Sequence, residues 1–267
     1  MRHIKVKSPA NPLIKEAIKE KKKRQQNNIF IEGLHLLEMA IASGAEIGKV
    51  FFSDSFKTKN ERLLRHLSKN ASELIETTEH ILSRLSDTET PQGIVATAGI
   101  KTISLDELTL KEKPLIVVCD GIQDPGNLGT IIRTSDAVSA DAVIALTGTC
   151  DAFMPKVIRS TAGSIFNIPV VYSNGGDLIR WLKEKRISLF VTDIIASKTI
   201  YEADFRMALA FVFGNEAHGA SKGIKHKATT VLNIPILGRA ESLNVASSAA
   251  ICLYEAVRQR TGKSALL

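Results

Sequence analysis

The feature that most constrains the fold of this chain is a series of six short apolar runs in its second half. They are rich in β-branched residues and lie at 115–119, 142–146, 170–172, 189–192, 209–213 and 230–234. Short, continuously apolar runs are typical of strands buried on both faces of a parallel sheet. Helical patterns lie between them at 128–138, 155–164 and 177–185, and another ends the chain at 244–260. The second half is therefore predicted to be an open, mostly parallel sheet covered by helices.

The first half alternates strand and helix patterns on shorter loops, which is typical of a small α/β domain. Strands are predicted at 28–32, 49–53, 73–77 and 93–97, and helices at 11–25, 34–42, 61–68 and 79–85. A mixed, charged stretch without a long periodic element then ends at Pro114. We therefore predict a first domain at residues 1–98, a linker at 99–113 and a second domain at 114–267.

The positive charge of the chain is concentrated in its first 24 residues. The net charge is +7, and this segment holds nine Lys and Arg against two acidic residues, whereas the other 243 residues hold 26 of each sign. Such a distribution favours a polyanionic partner such as RNA. The candidate RNA-binding residues are Lys15, Lys19, Lys21, Lys22, Lys23 and Arg24.

Several classes of protein are disfavoured by what the sequence lacks. The three cysteines include no Cys-x-x-Cys pair, and the six histidines show no metal-ligand spacing, so we expect no metal site and a reducing, cytoplasmic location. No apolar run reaches the ~20 residues that span a bilayer. An amphipathic basic transit peptide stays an open alternative, against which Glu16 and Glu20 count.

Three polar loops follow apolar strands of the second half, where open parallel sheets bind their ligands. They cover residues 120–134, 213–221 and 234–245. The first carries Asn127 and Arg133, the second carries Glu216, and the third contains Ser242, which we expect to cap the last helix.

Each loop also has a simpler interpretation. A lone glycine at a strand end is more often a turn than a ligand contact, and Ser242 and Asn244 can be helix caps alone. The spacing of Gly121, Gly126 and Gly129 does not match a dinucleotide-binding loop, which argues against an oxidoreductase. Three such loops on one sheet nevertheless favour a functional site.

The loops resemble, in order and spacing, the three motifs of the SpoU (TrmH-like) RNA 2′-O-ribose methyltransferases of the SPOUT superfamily. The matching segments are DPGNLGTIIRT at 124–134, FGNEAHGAS at 213–221, and IPI with ESLNV within 234–245. The segments NPLIK at 11–15, FIEGLHLLE at 30–38 and PQGIVA at 91–96 are similar to the substrate-binding domain that many of these enzymes carry.

The resemblance implies an α/β SPOUT methyltransferase domain with a deep trefoil knot, preceded by a smaller α/β domain that binds the RNA substrate. It also implies a homodimer, which the apolar face Ala246, Ala249, Ala250, Leu253 and Val257 of the last helix would accommodate, although this face fits core packing equally well. S-adenosylmethionine would lie bent in the knot. Its contacts, carried over by position, are Gly214, Ile234 and Leu243, with Thr147, Asn215, Ser242 and Asn244 nearby.

The reaction implied is attack of a ribose 2′ oxygen on the sulfonium methyl group. The family account makes the motif-one arginine, here Arg133, the base, with Asn127, Glu216, Ser242 and Asn244 shaping the site. Since a guanidinium is rarely deprotonated, a clamp on the adjacent phosphate is the other role open to Arg133. Ribosomal RNA of the 23S type is the favoured substrate. A tRNA methyltransferase and a non-catalytic dimeric RNA-binding protein are the alternatives.

Overall fold

The computed structural model describes residues 2–22, 27–88 and 90–261, and it divides the chain into two compact units, residues 1–101 and 102–267. Part of the predicted linker, from Ile103 to Leu110, packs against the core of the second unit. The predicted domain limits, 1–98 and 114–267, stay predictions.

In its described residues, the first unit is a five-stranded mixed sheet with five helices. Its elements are β1 (Arg2–Lys5), α1 (Pro12–Lys22), β2 (Asn28–Glu32), α2 (Leu34–Ala42), β3 (Ile47–Ser53), α3 (Asp54–Lys59), α4 (Glu61–Asn70), β4 (Ala71–Thr77), α5 (Glu79–Leu85) and β5 (Ile94–Gly99). The strand order is β1-β4-β3-β5-β2, with β1, β4 and β3 parallel and β5 antiparallel to both neighbours. The sequence patterns did not predict β1 or α3, because both are short and largely polar.

Helix α1 has one apolar stripe, as its sequence pattern predicts. Ile14 and Ala17 are fully buried and pack with Phe51 and Ile75 in the core of the first unit. The described part of this helix ends at Lys22, so the predicted stretch up to residue 25 lies partly outside the described residues. Because two turns of α1 belong to the core, we expect this helix to be required for the first unit to fold.

The second unit is a six-stranded sheet in which every pairing of strands is parallel. Its elements are β6 (Leu115–Asp120), α6 (Pro125–Ala137), β7 (Ala142–Leu146), α7 (Pro155–Ser160), β8 (Val170–Ser173), α8 (Gly175–Glu184), β9 (Ser188–Thr192), β10 (Leu209–Gly214), α9 (Lys222–His226), β11 (Thr230–Leu232) and α10 (Val245–Thr261). The strand order is β11-β9-β10-β6-β7-β8. The predicted parallel sheet is confirmed, and α9 is the helix that the pattern missed.

Helix α6 begins three residues earlier than its apolar pattern predicts. Asp124 caps it by accepting a hydrogen bond from the backbone N–H of Asn127, and Pro125 occupies the first helical position, where its missing N–H costs nothing. Asn127 therefore lies in the first turn of the helix, which is predicted to carry it. A Cβ on Gly129 would come within 2.4 Å of the Ser160 side chain, so glycine there allows α6 to pack closely on α7.

Candidate active site

Three loops converge at the carboxyl ends of the central strands of the second unit. Strands β6 and β10 are direct neighbours, and their last residues, Asp120 and Gly214, are paired in register. The loop after β6 leads into α6, the loop after β10 spans residues 215–221, and the chain beyond β11 leads into α10. Sequence positions more than ninety residues apart thus meet at one edge of the sheet.

A chain of hydrogen bonds joins one side chain from each loop. The Nδ2 group of Asn244 donates to Oδ1 of Asn127 at 2.9 Å, and Nδ2 of Asn127 donates to Oε1 of Glu216, also at 2.9 Å. These residues lie 117 and 89 positions apart in the sequence. The structure therefore brings together three of the five predicted catalytic residues.

Glu216 is held as an ionised acceptor. Besides the Asn127 amide, its carboxylate receives the backbone N–H groups of Gln123 and Asp124, each at 3.4 Å. Partial burial raises the pKa of Glu216, but the hydrogen bonds from Asn127 and from backbone N–H groups lower it by more, so the pKa lies below its ordinary value of 4.5. Glu216 thus ties the second loop to the start of α6.

Asn244, and not Ser242, caps the last helix. Oδ1 of Asn244 accepts hydrogen bonds from the backbone N–H groups of Ala246 at 2.9 Å and Ser247 at 3.3 Å. The expectation that Ser242 is this cap is wrong, because α10 begins at Val245, too far along the chain for Ser242 to reach its first turn. Ser242 is exposed and makes no hydrogen bond with the described residues.

The second loop is fastened to β6 at both of its ends. Nδ2 of Asn215 donates to the carbonyl of Gly121 at 2.8 Å, and the backbone N–H of Ser221 donates to Oδ2 of Asp120 at 2.7 Å. Oδ1 of Asn215 also accepts the N–H groups of Ala217 and His218, which closes a tight turn. Asp120 is buried, and although it opens the first loop, its sequence position alone does not indicate this role.

Gly214 is required by the close approach of the chain's own backbone. A Cβ on this residue would lie 2.0 Å from the backbone nitrogen of Ala220 and 2.1 Å from the carbonyl carbon of Gly219. The resemblance makes Gly214 a cofactor contact, and this stays a prediction. The structure assigns the close contact to residues 219–220, which fold back over the end of β10.

Two predicted site residues, Arg133 and Thr147, take no part in the hydrogen bonds that join Asn244, Asn127 and Glu216. Arg133 is exposed on α6 and forms no hydrogen bond or ion pair with the described residues, so its guanidinium is available to a ligand. Thr147 follows β7, which is separated from β10 by β6, so it lies roughly 10 Å from β10 across the sheet at ~4.8 Å per strand.

Strand β9, and not β7, lies between the two strands that carry the second and third loops. It ends at Thr192, whose hydroxyl donates to the carbonyl of Val212, and Asp193 follows with an ion pair to Lys225 at 2.5 Å. Position along the sheet therefore makes Thr192 a better candidate than Thr147 for a ligand held by these loops. The sequence alone does not indicate Thr192, because no glycine marks this loop.

Matches to known protein families cover both units. Residues 114–254 match the model of the SpoU rRNA Methylase family, and residues 11–96 match the MRM3-like substrate binding domain. The chain belongs to the SpoU rRNA methylase family.

Its similarity to other members of this family extends over nearly the whole chain. The 23S rRNA (guanosine(2553)-2′-O)-methyltransferase RlmP of Bacillus subtilis is 34% identical over 93% of this chain and 97% of its own length. The 23S rRNA (uridine(2479)-2′-O)-methyltransferase of Streptomyces viridochromogenes is 31% identical over 91% of this chain and 88% of its own length.

Two solved structures with bound AdoMet are similar in fold. The rRNA methyltransferase of Sinorhizobium meliloti has a TM-score of 0.86 and 29% identity, covering 96% of this chain and 98% of its own. The SpoU methyltransferase AviRb of Streptomyces viridochromogenes has a TM-score of 0.85 and 28% identity, covering 94% and 99%. The predicted family, SPOUT fold class, methyltransferase activity and S-adenosylmethionine cofactor are confirmed.

The residues of this SpoU site fit S-adenosylmethionine. Leu237 and Leu243, in the third loop, are 98% and 37% exposed, and Ile234 is half-buried, so apolar side chains are available to cover an adenine ring. Within the described residues, no group of three or more His, Cys, Asp or Glu side chains could hold a metal ion.

Removing the Asn127 side chain is expected to raise the pKa of Glu216. Asn127→Ala deletes the strongest hydrogen bond that favours the ionised carboxylate and leaves its desolvation in place. Glu216 has a lowered pKa in the folded protein, so it contributes stability above its unfolded-state pKa, and this is lost as the pH falls through the folded value. Below about pH 4.5 the stability of the wild type should therefore fall towards that of the variant.

NMR titration of the Glu216 carboxyl carbon measures the shift in its pKa. Thr130→Ala on the same helix is the control, and an equal shift there would contradict the assignment.

Proposed function

We propose that this SpoU enzyme transfers a methyl group from S-adenosylmethionine to a ribose 2′-hydroxyl of 23S-type ribosomal RNA in the cytoplasm. The observation that carries the proposal is the Asn244–Asn127–Glu216 chain of hydrogen bonds, which joins the three family motifs into one site. Two relatives that are similar over more than nine-tenths of this chain are named for 23S rRNA. A tRNA-modifying enzyme of A. aeolicus, in contrast, covers only 59% of this chain.

The cofactor supplies a methyl group on a positively charged sulfur. In the proposed reaction a C–O bond forms as the C–S bond breaks, and the hydroxyl proton leaves to solvent. Arg133 keeps its charge, because a guanidinium is not deprotonated in proteins. It would therefore hold the phosphate beside the target ribose and stabilise the developing negative charge on the 2′ oxygen. Asn127, Glu216 and Asn244 would keep the start of α6 in place beneath it.

We place the cofactor between the loops after β9, β10 and β11. Gly214, Asn215, Ile234 and Leu243 line this region from the second and third loops, and Thr192 closes it from β9. Ser242 and Asn244 flank Leu243, whereas the position of Thr147 favours a role outside the cofactor site.

A homodimer is proposed for the same enzyme. Of the apolar face of α10, Ala246, Ala249 and Leu253 are buried within the chain, so they are accounted for by core packing. Ala250 and Val257 are only half-buried and flank Tyr254, which is 55% exposed. This apolar stripe, at i, i+4 and i+7, is suited to a second copy of the chain. Sedimentation equilibrium should give twice the mass of the chain, and a monomer at micromolar concentration would contradict the dimer.

The experiment that tests the function combines cofactor binding with methyl transfer. Calorimetry with S-adenosylmethionine should show binding, and labelled methyl should appear in ribosomal RNA from a strain that lacks the gene. Mapping the 2′-O-methyl position then names the nucleotide. Label in tRNA alone would show that the substrate is tRNA and not rRNA. Binding of RNA without any binding of the cofactor would show that the protein is a non-catalytic RNA-binding protein.

RNA binding by the first unit is expected to depend on Lys15 and Lys19. Both are exposed on α1, while the acidic Glu16 and Glu20 of that helix are paired with Lys49. Lys21 is occupied within the unit, since its Nζ bonds the Ser86 carbonyl and Asp87. The Lys22 side chain, Lys23 and Arg24 lie outside the described residues.

Replacing Lys15 and Lys19 together by alanine should weaken RNA binding and leave cofactor binding unchanged. The slope of log K against log salt concentration should become shallower by about 0.7 to 0.9 for each lost phosphate contact. Filter binding over a salt series measures this slope, with Lys69→Ala on α4 as the control. An unchanged slope would place the RNA-binding surface elsewhere.

A further inference from the structure

The second unit contains a cavity of about 760 Å³ away from the proposed cofactor region. Thr147, after β7, and Tyr172 and Ser173, at the end of β8, lie along one side, and α8 and the turn at Ser104–Asp106 complete it. Along the carboxyl edge of the sheet, the cofactor region lies over β11, β9 and β10, and the catalytic residues lie over β10 and β6. The cavity is the next position, over β7 and β8.

Three residues that line the cavity carry polar groups without a partner among the described residues. Trp181 lines it and is only 3% exposed, yet its Nε1 has no hydrogen-bond acceptor among the described residues. A buried N–H without a partner is costly, so it points to a missing acceptor. Asp106 and Glu184 also line the cavity, and neither forms a hydrogen bond or ion pair with the described residues.

The charge of the cavity excludes a phosphate. Three carboxylates, from Asp106, Asp177 and Glu184, face one guanidinium, and that group, of Arg180, is already bonded to Asp177 at 2.9 Å. A ligand suited to this lining is uncharged, carries several N–H donors for the carboxylates and also carries an acceptor for Trp181.

Tyr172 adds a flat apolar surface. Its ring is 43% exposed, and its hydroxyl is held by Asp151 and by the backbone N–H of Ala152, which fixes the orientation of the ring. Exposed aromatic rings of this kind bind nucleobases by stacking.

We propose that this cavity binds a guanine base of the RNA substrate. Guanine is the nucleobase whose Watson–Crick edge combines imino and amino donors, suited to a carboxylate, with an adjacent O6 acceptor, suited to the Trp181 N–H. Strands β6 and β8 are two strand spacings apart, which is roughly 10 Å. One nucleotide spans this distance from its phosphate to the edge of its base. The inference rests on the proposed function, since it makes the cavity a specificity site for the same RNA.

Trp181 is the single tryptophan of the chain, so its fluorescence reports directly on the cavity. Guanosine titrated into the full chain should change this emission saturably. Inosine, which lacks only the amino group, should bind about tenfold more weakly, and uridine should have no effect. The double variant Asp106→Asn/Glu184→Gln should lose the response to guanosine, whereas Glu112→Gln should retain it.

Kinetics with an RNA substrate extend the test. Trp181→Phe and the double variant should raise KM for RNA about tenfold and leave kcat and the Kd for S-adenosylmethionine unchanged. The guanine site would be overturned if the wild type transfers methyl groups but its fluorescence responds equally to all nucleosides. It would also be overturned if the wild type transfers methyl groups and its fluorescence responds to no nucleoside. A guanosine response without any methyl transfer would instead overturn the proposed function and leave the guanine site standing.

Discussion

Replacing Arg133 by alanine is expected to lower kcat by about 100- to 1000-fold. The guanidinium is exposed, unpaired within the described residues and carried by the helix that Glu216 and Asn127 hold in place. Its proposed contacts with phosphate and with the developing alkoxide strengthen only in the transition state, so the loss should appear in kcat. The Kd for S-adenosylmethionine should not change, because Arg133 lies outside the proposed cofactor region.

A lysine at the same position separates the two roles that the family resemblance leaves open. Arg133→Lys retains the positive charge but loses the planar fork that binds a phosphate through two parallel hydrogen bonds. We expect at least a tenfold loss of kcat for this variant, with a pH–rate profile of wild-type shape. Lys183→Ala, an exposed cation on α8, serves as the control and should retain full activity. Near-normal activity of Arg133→Lys would contradict the bidentate clamp.

Gly214→Ala is expected to destabilise the second unit more than any surface substitution. The added Cβ would lie 2.0 to 2.1 Å from backbone atoms of residues 219–220, and backbone cannot rotate away as a side chain can. We expect a loss of more than about 3 kcal/mol in the free energy of unfolding. At about 2 to 4 °C per kcal/mol for a domain of this size, Tm should fall by at least about 6 °C. Differential scanning calorimetry measures this change.

The matched control for this variant is Gly223→Ala. Gly223 is exposed in α9, and a Cβ there would meet no atom within 4 Å. Since alanine has the higher helix propensity, this variant should be as stable as the wild type or slightly more so. Equal Tm values for the two variants would show that the 219–220 segment gives way to the methyl group, against our interpretation of Gly214.

The predicted strands of the second unit agree closely with the structure because each is a continuous apolar run. Burial on both faces of a parallel sheet selects such runs, so the pattern is visible without any tertiary information. The elements that were missed have the opposite character. Strand β1 is formed by Arg2–Lys5, and it is stabilised by pairing with β4, some seventy residues away. Helix α9 is only five residues long.

The differences within the site have a common cause. Ser242 and Asn244 are both good capping residues, and only the observed start of α10 decides that Asn244 is the cap. In the sequence, Lys21 is one more cation of a basic helix. Its ion pair with Asp87 depends on where α5 ends, which only the structure shows. Thr147 and Thr192 both end apolar strands, and only the strand order shows which of them lies between β10 and β11.

By itself, the sequence determined the parallel sheet, the three polar loops, the cationic character of α1 and the family. Those properties are local, because apolar runs, motif residues and charges are read from short stretches of the chain. The tertiary structure decided which side chains meet. Asn244, Asn127 and Glu216 form one hydrogen-bonded chain because β10 pairs with β6 and α10 begins beside them. The spacing of residues along the polypeptide does not determine the order of strands in a sheet. Neither the hydrogen bonds among these three side chains nor the cavity over β7 and β8 could therefore be derived from the sequence alone.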